Sequence, residues 1–345
     1  MNVINLIVMG AGLMGTRHAI HIGKEQNAAL CAIVDPSQAG RALALRSGTK
    51  WYENLAQALS EQRADGVIIA TPNQLHVETG LEVIAAGLPV LIEKPIADDV
   101  GAATTLVEAA EEASIPLLVG HHRRHNPMVG KAKEIVESGR LGTLLTVTGH
   151  FWLKKPDDYF DAAWRREVGA GPIFINLTHD IDLFRYLCGE IVWVQAQESN
   201  LVRGHAVEDT AAILLRFANG ILATFNVSDV VVAPWSWELT TGENPAYPRQ
   251  DQSCYQIGGT HGSLSIPDLE LWSYPGQKSW WEPLQRQRVP FVPDDPMAVQ
   301  LRHFCDVIRR GAEPVVSGRD ALNTLKVIDA IKRSARESTP VTLTA

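Results

Sequence analysis

Short apolar runs alternate with amphipathic segments from the start of the chain to about residue 120. The apolar runs predict strands at Ile4–Met9, Leu30–Val34, Gly66–Ala70, Val90–Glu93 and Leu117–Val119. The segments between them predict helices at Thr16–Gln26, Ala39–Arg46, Leu55–Glu61, His76–Ala86 and Val100–Ala113. Runs that are apolar at every position suit a parallel sheet covered on both faces. The alternation therefore predicts a doubly wound α/β domain over residues 1–122.

The pattern changes after Gly120 and predicts a second α/β domain over residues 123–345. Residues 209–228 look like two strands around Asn219-Gly220, a pair that favours a two-residue type I′ turn. Residues 275–296 are rich in Pro and Trp and predict a long loop. Two helices follow, near 297–310 and 319–336, and we expect the last one to pack back on the N-terminal domain. The remaining strand-like runs are 143–152, 191–199, Ser236–Thr241, Cys254–Ile257, Gly262–Ile266 and Glu270–Tyr274. With few helical crossovers, these strands predict an antiparallel or mixed sheet with one face exposed to a partner.

The first strand leads directly into Gly10-Ala11-Gly12-Leu13-Met14-Gly15, and Asp35 follows the second strand. A strand, a G-x-G-x-x-G turn, a helix and an acid about 20 residues later form the dinucleotide-binding fingerprint. The glycines allow a tight turn, close approach of a pyrophosphate and close helix packing, while Asp35 can accept both hydroxyls of a ribose. The alternative interpretation is a glycine-rich turn without a ligand. The motif predicts that residues 10–15 and Asp35 bind the cofactor.

Composition excludes several other classes of function. The chain has 345 residues, is 46% hydrophobic and carries a net charge of −8, which argues against nucleic acid or an anionic membrane as partner. No apolar run reaches membrane-spanning length, and the N-terminus lacks the basic region of a signal peptide. The four cysteines form no C-x-x-C pair and suit a reducing compartment. We therefore expect a cytoplasmic enzyme.

Two further motifs follow predicted strands of the first domain. Loops at the carboxyl ends of parallel strands line the ligand crevice, so Thr71, Pro72, Asn73 and His76 of TPNQLH are candidate cofactor contacts. The alternative is a helix start with Asn73 as N-cap and His76 on a solvated face.

Glu93-Lys94-Pro95 follows the next strand. Pro95 biases Lys94 toward an extended conformation, and a lysine near a cofactor can stabilise developing alkoxide charge. The alternative for Glu93 and Lys94 is a surface salt bridge at the end of the strand.

The stretch GHHRRHNP at residues 120–127 suggests a polar strand end, with Arg123 and Asn126 as substrate or cofactor contacts. Adjacent histidines on a strand point to opposite faces, and no carboxylate or cysteine lies nearby at ligand spacing, so we predict no metal site.

Gly169-Ala170-Gly171-Pro172 precedes a predicted helix from about Ile173 to Leu187. Asn176, His179 and Asp182 fall at spacings of three and are expected to share one face of that helix. On such a face Asp182 can orient His179, and Asn176 can hold a substrate hydroxyl. The alternative is a solvent-facing helix with a chance His/Asp pair.

In this order, GAGLMG, TPNQLH, EKP, GHHRRHNP and GAGPIFINLTHDID resemble the glucose–fructose oxidoreductase / inositol dehydrogenase (Gfo/Idh/MocA) family over nearly the whole chain. The resemblance implies a Rossmann domain followed by an α/β domain with a large open, mostly antiparallel sheet, used for homodimer or homotetramer contacts. It implies that Lys94 is the catalytic lysine and also contacts substrate, that His179 is the general base or acid, and that Arg165 of Trp164-Arg165 contacts substrate. Many members carry an aspartate four residues before the histidine; this chain has Ile175 there and Asn176 one residue later.

These expectations combine into a hypothesis of function. A nicotinamide cofactor exchanges hydride with a secondary alcohol or ketone of a sugar, polyol or cyclic diol, His179 takes the hydroxyl proton, and Lys94 stabilises the oxyanion. Asp35 favours NAD over NADP because a carboxylate repels a 2′-phosphate, and Pro36-Ser37 supply no arginine. The alternatives are a glycosidase that uses bound NAD transiently and a non-redox dinucleotide-binding protein. A methyltransferase would also have a glycine-rich turn, but the EKP motif and His179 argue against it.

Overall fold

The computed structural model describes residues 3–167 and 169–343. They divide into two compact units. The first comprises the chain up to Asn126 together with Asp294–Leu325, and the second comprises Pro127–Pro293 together with the chain from Lys326 onward. We predicted a single boundary after residue 122. In the observed division the segment Asp294–Leu325 also belongs to the first unit.

The first unit is built on a six-stranded parallel sheet with strand order β3-β2-β1-β4-β5-β6. Its strands are β1 (Ile4–Met9), β2 (Ala28–Val34), β3 (Lys50–Tyr52), β4 (Gly66–Ile69), β5 (Val90–Ile92) and β6 (Leu117–Val119). Its helices are α1 (Leu13–Lys24), α2 (Gln38–Ser47), α3 (Leu55–Glu61), α4 (His76–Ala85), α5 (Val100–Glu112) and α9 (Pro296–Arg310). This is the doubly wound order of dinucleotide-binding folds, as predicted.

Helix α9 belongs to this unit because its apolar face packs on the parallel sheet. Leu301 and Phe304 lie in one buried cluster with Leu6, Val8 and Ile68 of the central strands. The helix begins cleanly, since the Asp295 carboxylate accepts a hydrogen bond from the Met297 amide (2.9 Å) and Pro296 needs no amide partner.

The second unit is built on a nine-stranded sheet with strand order β14-β13-β12-β11-β7-β10-β9-β8-β15. Only β7 and β10 pair in parallel, so the predicted large, mostly antiparallel sheet is confirmed. Its strands are β7 (Leu144–Trp152), β8 (Ile191–Ser199), β9 (Thr210–Phe217), β10 (Leu222–Ser228), β11 (Tyr255–Gly259), β12 (Gly262–Ile266), β13 (Glu270–Ser273), β14 (Gln285–Arg288) and β15 (Val341–Thr342). Its helices are α6 (Pro127–Glu137), α7 (Thr178–Cys188) and α8 (Trp237–Thr241), and α10 (Gly318–Glu337) has residues in both units.

Strict alternation of side chains decides which face of this sheet is buried. In β9, Ile213 and Leu215 are buried whereas Ala212, Leu214 and Arg216 on the opposite face are exposed. The buried face forms one core with apolar residues of α6, α7 and α10. The sheet therefore has one face packed against helices and one with its side chains open to solvent.

Two local predictions in this unit are wrong. The hairpin at Asn219-Gly220 has a three-residue loop, because the Phe217 amide donates to the Ile221 carbonyl and only Gly220 takes a positive φ. Residues 236–241 form the helix α8 and not a strand, because the Ser236 side chain caps the Leu239 amide. The segment 275–296, predicted to be a loop, also contains strand β14.

Within the described ranges, none of the helices combines the length and apolarity needed to cross a bilayer.

Candidate active site

The glycine turn after β1 is shaped by its backbone neighbours. Gly10 has φ +96°, and a Cβ on it would lie 2.4 Å from the Ala70 carbonyl oxygen at the end of β4. A Cβ on Gly15 would lie 1.9 Å from the Gly10 oxygen, so helix α1 can pack this closely only with glycine there. At Gly12 a Cβ would meet nothing within 4 Å. The fold therefore demands glycine at Gly10 and Gly15, and Gly12 leaves open space beside the turn.

In the part of the chain that the structure describes, the N-terminus of α1 lacks the side-chain cap that three other helices of the same unit carry. Helices α2, α3 and α5 are capped by the side chains of Ser37, Asn54 and Asp99. Helix α1 starts at Leu13 after Gly12 with no side-chain cap among the described residues. Its first-turn N–H groups, which include that of Met14, are thus available to an anion at the positive end of the helix dipole.

Asp35 lies where β2 ends and contacts the glycine turn directly. One carboxylate oxygen accepts the Ala11 amide at 2.8 Å and the other accepts the Ser37 amide at 2.8 Å. The oxygen that accepts the Ser37 amide (Oδ1) also accepts the Ser37 hydroxyl, whereas the oxygen that accepts the Ala11 amide (Oδ2) keeps a second lone pair for a ribose hydroxyl. The Arg41 guanidinium lies 4.1 Å from the centre of the Trp51 ring, and the Trp51 indole donates to the Asp35 carbonyl. Arg41 is thus held near the end of β2.

The loop after β4 carries one side-chain atom that fits a ligand. The Thr71 hydroxyl oxygen is buried and has no hydrogen-bond partner in the described part of the chain. Pro72 is exposed, and the half-buried Asn73 begins a 3₁₀ turn, Asn73–Leu75, rather than capping α4.

His76 connects two loops of the first unit. The imidazole is fully buried, with Nδ1 2.8 Å from the Pro95 carbonyl and Nε2 3.0 Å from the Thr71 carbonyl. Burial lowers the pKa of His76, although its hydrogen bonds to the two carbonyls act in the opposite direction. The alternative that placed His76 on a solvated face is wrong, and the ring fixes the TPNQLH loop to the loop that carries Lys94.

Glu93 is buried at the end of β5, directly before the half-buried Lys94. Its carboxylate lies 2.7 Å from His18 Nε2 of α1, and a Cβ on Gly120 would lie 2.9 Å from that carboxylate. Burial alone would raise the pKa of Glu93, but the hydrogen bond and charge of His18 outweigh it and hold that pKa below its usual range. The salt bridge at the strand end is therefore internal and anchors the backbone next to Lys94.

Residues 122–125 form a 3₁₀ turn, so the predicted polar strand end is wrong there. Arg123 is buried and Asn126 is half-buried. Arg124 is also buried and donates to the Asp320 carboxylate at 2.9 Å. No group of histidine, cysteine and carboxylate side chains suited to a metal occurs among the described residues.

In the second unit the segment before α7 is anchored by Glu208. The buried Glu208 carboxylate accepts the Ile173 amide at 2.9 Å and the Lys332 ammonium at 2.6 Å. A Cβ on Gly171 would lie 2.2 Å from that carboxylate, which explains the glycine at this position of the GAGP motif. Residues Ile173–Leu177 form a π-helical turn rather than the regular α-helix predicted. Such turns occur frequently at functional sites.

The predicted substrate residues of this unit lie on α7 and close to it. His179 and Asp182 are both buried in α7, three residues apart, and the Asp180 carboxylate accepts a hydrogen bond from Tyr255. Asn176 lies in the π-helical turn, so its spacing from His179 is not that of a regular α-helix. Its amide oxygen accepts the Lys155 ammonium at 2.8 Å.

Sequence reasoning missed His18, Lys155 and Glu208. Each makes its contact across a long stretch of sequence: His18 with Glu93, Lys155 with Asn176, and Glu208 with Ile173. The only local signal was the polar character of Lys155, three residues after the end of β7.

The residues around the glycine turn fit a dinucleotide. An uncapped helix N-terminus and open space at Gly12 suit a pyrophosphate, Asp35 suits a ribose, and the buried Thr71 hydroxyl offers a further polar contact. With the doubly wound sheet, they define the protein as a dinucleotide-binding protein.

Comparison with known families agrees with this class. The family described as "Oxidoreductase family, NAD-binding Rossmann fold" matches residues 4–121, and the one described as "GFO/IDH/MocA C-terminal domain" matches residues 129–265. The chain belongs to the Gfo/Idh/MocA family of oxidoreductases.

Individual relatives match along nearly the full chain. The rhizopine catabolism protein MocA of Rhizobium meliloti is 31% identical over 96% of this chain and 94% of its own length. The myo-inositol 2-dehydrogenase of Thermotoga maritima is 27% identical over 97% of each chain. Among solved structures, the WlbA dehydrogenase of Bordetella pertussis, in complex with NADH and UDP-GlcNAcA, superposes with a TM-score of 0.80 and 25% identity over 100% of each chain.

The sequence-based predictions of family, fold class and cofactor are thereby confirmed. The protein is an NAD-dependent oxidoreductase that transfers hydride between the nicotinamide and a CH–OH group.

Proposed function

We propose that the substrate is a secondary alcohol, or the corresponding ketone, of a sugar, polyol or cyclic diol. The observation that carries this proposal is the family match over both units. Lys94 and His179 are the residues to which the sequence resemblance assigns the catalytic roles. Relatives named for inositol and D-apiose support the substrate class.

In this proposal His179 transfers the proton and Lys94 stabilises the charge on the reacting oxygen. When bound, NAD supplies the hydride acceptor. His179 takes the proton from the substrate hydroxyl during oxidation and returns it during reduction. The Lys94 ammonium donates a hydrogen bond to the same oxygen and stabilises the negative charge that develops on it. The half-buried environment of Lys94 supports this role, since charge stabilisation is stronger away from water.

The other predicted contacts keep their proposed assignments, with two refinements. Glu93 and His76 act by fixing the backbone on either side of Lys94-Pro95, as their buried hydrogen bonds to His18 and Pro95 support. The remaining proposed cofactor contacts are Gly10, Ala11, Gly12, Leu13, Met14, Gly15, Asp35, Thr71, Pro72, Asn73 and Lys94. The proposed substrate contacts are Lys94, Arg123, Asn126, Arg165, Asn176, His179 and Asp182.

The substrate proposal is tested with a panel of polyols, cyclic diols and sugars in the presence of NAD. Net formation of reduced nicotinamide on at least one of them supports it. Release of sugar from a glycoside without net reduced nicotinamide would instead indicate a glycosidase. Tight NADH binding without turnover on any alcohol or ketone would indicate a non-redox role.

Asp35 is expected to determine the choice between NAD and NADP. In Asp35→Ser the ribose loses a charged hydrogen-bond acceptor, and the carboxylate that would repel a 2′-phosphate is removed. We expect the ratio of kcat/KM for NAD to that for NADP to fall by about 10- to 100-fold, the effect of one charged hydrogen bond. Asp65→Asn is the control, because Asp65 also accepts a backbone amide, that of Asn5, but at the opposite end of β1. An unchanged ratio in Asp35→Ser would show that Asp35 does not determine the choice of cofactor.

We also propose that the open face of the nine-stranded sheet mediates a homodimer or homotetramer. The outward side chains of β7 to β10 form a shallow groove of about 410 Å³ that includes Thr148, Leu214 and Thr224. Leu214 and Leu222 are 40% and 54% exposed there, and burial of exposed leucines in contact with a second copy is favourable.

Charges on this face are expected to dissociate the oligomer. Leu214→Glu combined with Thr224→Glu places two like charges on each protomer at the proposed interface, so mass measured by light scattering should fall to that of a monomer. Leu201→Glu is the control, since Leu201 is 88% exposed in a loop. An oligomer that persists in the double variant would place the interface elsewhere.

A cytoplasmic location is proposed as well. All four cysteines are free thiols, and burial raises the pKa of Cys188 to about 12, which suits a protein that does not rely on disulfides.

A further inference from the structure

We propose that Asn176, Lys155 and Arg165 form a subsite for an anionic group of the substrate, a carboxylate or a phosphate. The substrate is then a sugar acid or a sugar phosphate rather than a neutral polyol. This inference rests on the proposed function, because it places the subsite beside the segment that leads into His179.

The first observation is the environment of Lys155. This lysine follows β7 and is only 7% exposed. Its ammonium donates to the Asn176 amide oxygen at 2.8 Å and lies 3.4 Å from the Asp229 carboxylate. Asp229 is shared, because Arg203 Nε lies 3.2 Å from its other oxygen. Lysine is rarely buried unless it is paired, and these contacts with Asp229 and Asn176 hold Lys155 in place.

Lys155 also fixes the orientation of the Asn176 amide. Since the amide oxygen accepts from the ammonium, the Nδ2 group is left to face other partners. Asn176 is half-buried, and within residues 3–167 and 169–343 its Nδ2 makes no hydrogen bond. It therefore offers two N–H donors to a ligand.

The second, independent observation is Arg165. Its guanidinium carbon lies 4.0 Å from the centre of the Tyr159 ring, and Lys155 Nζ lies 5.0 Å from the same centre. Two cations therefore contact one aromatic ring. Arg165 Nη1 donates to the Tyr159 carbonyl at 2.6 Å, and Nε is buried without an acceptor in the described ranges. Among the residues that the structure describes, no carboxylate oxygen lies within 4 Å of the Arg165 guanidinium.

The acidic groups of the neighbourhood pair with Lys155 and Arg203 rather than with Arg165. Asp229 pairs with Lys155 and Arg203, and the charge of Glu238 acts on Lys155. Asp157 is almost fully exposed and lies 3.5 Å from Arg203. None of these acids forms an ion pair with Arg165.

The polarity of the subsite selects the ligand chemistry. A hydroxyl group both donates and accepts, whereas carboxylate and phosphate oxygens only accept. Asn176 Nδ2, Lys155 and Arg165 supply donors only. Hydrogen bonds to a charged oxygen are roughly twice as strong as neutral ones. An anionic group therefore fits this set better than a hydroxyl.

The test compares matched probes on the NADH-loaded protein by titration calorimetry. Aldonates of several configurations are paired with the alditols of the same configuration, and sugar phosphates with the parent sugars. We expect the anionic member to bind at least about 10-fold more tightly in the pairs that bind, the effect of one charge-assisted hydrogen bond. Carboxylate preference identifies a sugar acid, and phosphate preference identifies a sugar phosphate. Equal or tighter binding of the neutral members, or no binding of any anion, overturns the proposal.

Two variants test whether the preference for anions arises from the proposed subsite. Asn176→Asp and Arg165→Gln should each reduce the anion-to-neutral affinity ratio about 10-fold, with NADH affinity unchanged. Arg166→Gln is the matched control, because Arg166 is the exposed neighbour of Arg165. An unchanged ratio in both variants overturns the subsite.

Failure of this inference and failure of the proposed function give different results. If neutral alcohols are oxidised with dependence on Lys94 and His179 but anions bind no better, the subsite is wrong and the proposed function stands. If anions bind through Asn176 and Arg165 but no compound reduces NAD, the subsite stands and the proposed catalytic roles are wrong.

Discussion

Substitution of Lys94 by methionine is expected to lower kcat by about 10²- to 10³-fold, the cost of removing one donor to a developing oxyanion. Methionine keeps the length of the side chain and removes only the charge and its donors. The backbone beside it should persist, because Glu93 stays bonded to His18 and His76 stays bonded to the Pro95 carbonyl. The dissociation constant of NADH should therefore change little. Steady-state kinetics and NADH fluorescence titration measure the two quantities.

Two further variants separate a catalytic role of Lys94 from a structural one. Lys94→Ala should regain part of its activity when methylamine is added, because a small amine can enter the space and donate in place of the ammonium. Lys50→Met is the control for loss of a lysine, since Lys50 lies on β3 and pairs with Glu61 at 3.6 Å. Wild-type turnover in Lys94→Met would contradict the catalytic role of Lys94. Weak NADH binding by the same variant would indicate a role in cofactor binding instead.

The dinucleotide half of the site could be predicted from sequence because its requirements are local. Gly10 and Gly15 are dictated by backbone atoms that the strand, turn and helix bring together whatever the rest of the chain does. Asp35 follows from the end of the next strand. The core strands were found because they are apolar at nearly every position, whereas β3 is short, begins with an exposed lysine and shows no such pattern.

Predictions failed where a single distant or local hydrogen bond decides the structure. Ser236 as a cap converts a strand-like sequence at residues 237–241 into a helix. The turn at Gly220 has one more residue than its Asn-Gly pair suggests, because Phe217 pairs with Ile221 across it. Burial of Lys155 against Asn176 joins residues on different elements, and no periodicity in the sequence encodes such a pair.

The same reasoning explains why the candidate site is richer than its motifs. EKP and GAGP appear as short strings, yet their geometry depends on His18, which holds Glu93, and on Glu208, which holds Ile173 and requires Gly171. A motif match identifies candidate side chains. The residues that position those side chains do so through tertiary contacts, which only the three-dimensional structure reveals.

Substitution of His179 by alanine is expected to lower kcat between about 10²- and 10⁴-fold, the range for loss of a general acid–base group. Helix α7 should remain in place, because the Asp180–Tyr255 hydrogen bond and the Glu208 contact to Ile173 do not involve the imidazole. Because His179 is buried, His179→Asn is made as well, so that a loss of packing is distinguished from a loss of proton transfer.

Imidazole in solution should restore part of the activity of His179→Ala, since a small base can occupy the space and accept the hydroxyl proton. A rise in rate with imidazole concentration in this variant, with none in the exposed-site control His261→Asn, shows that proton transfer is the missing step. Activity near wild type in both His179 variants would assign proton transfer to another residue. A double variant with Lys94→Met decides whether the two residues act on one substrate oxygen, because groups that act as a unit give a combined loss well below the product of the single losses.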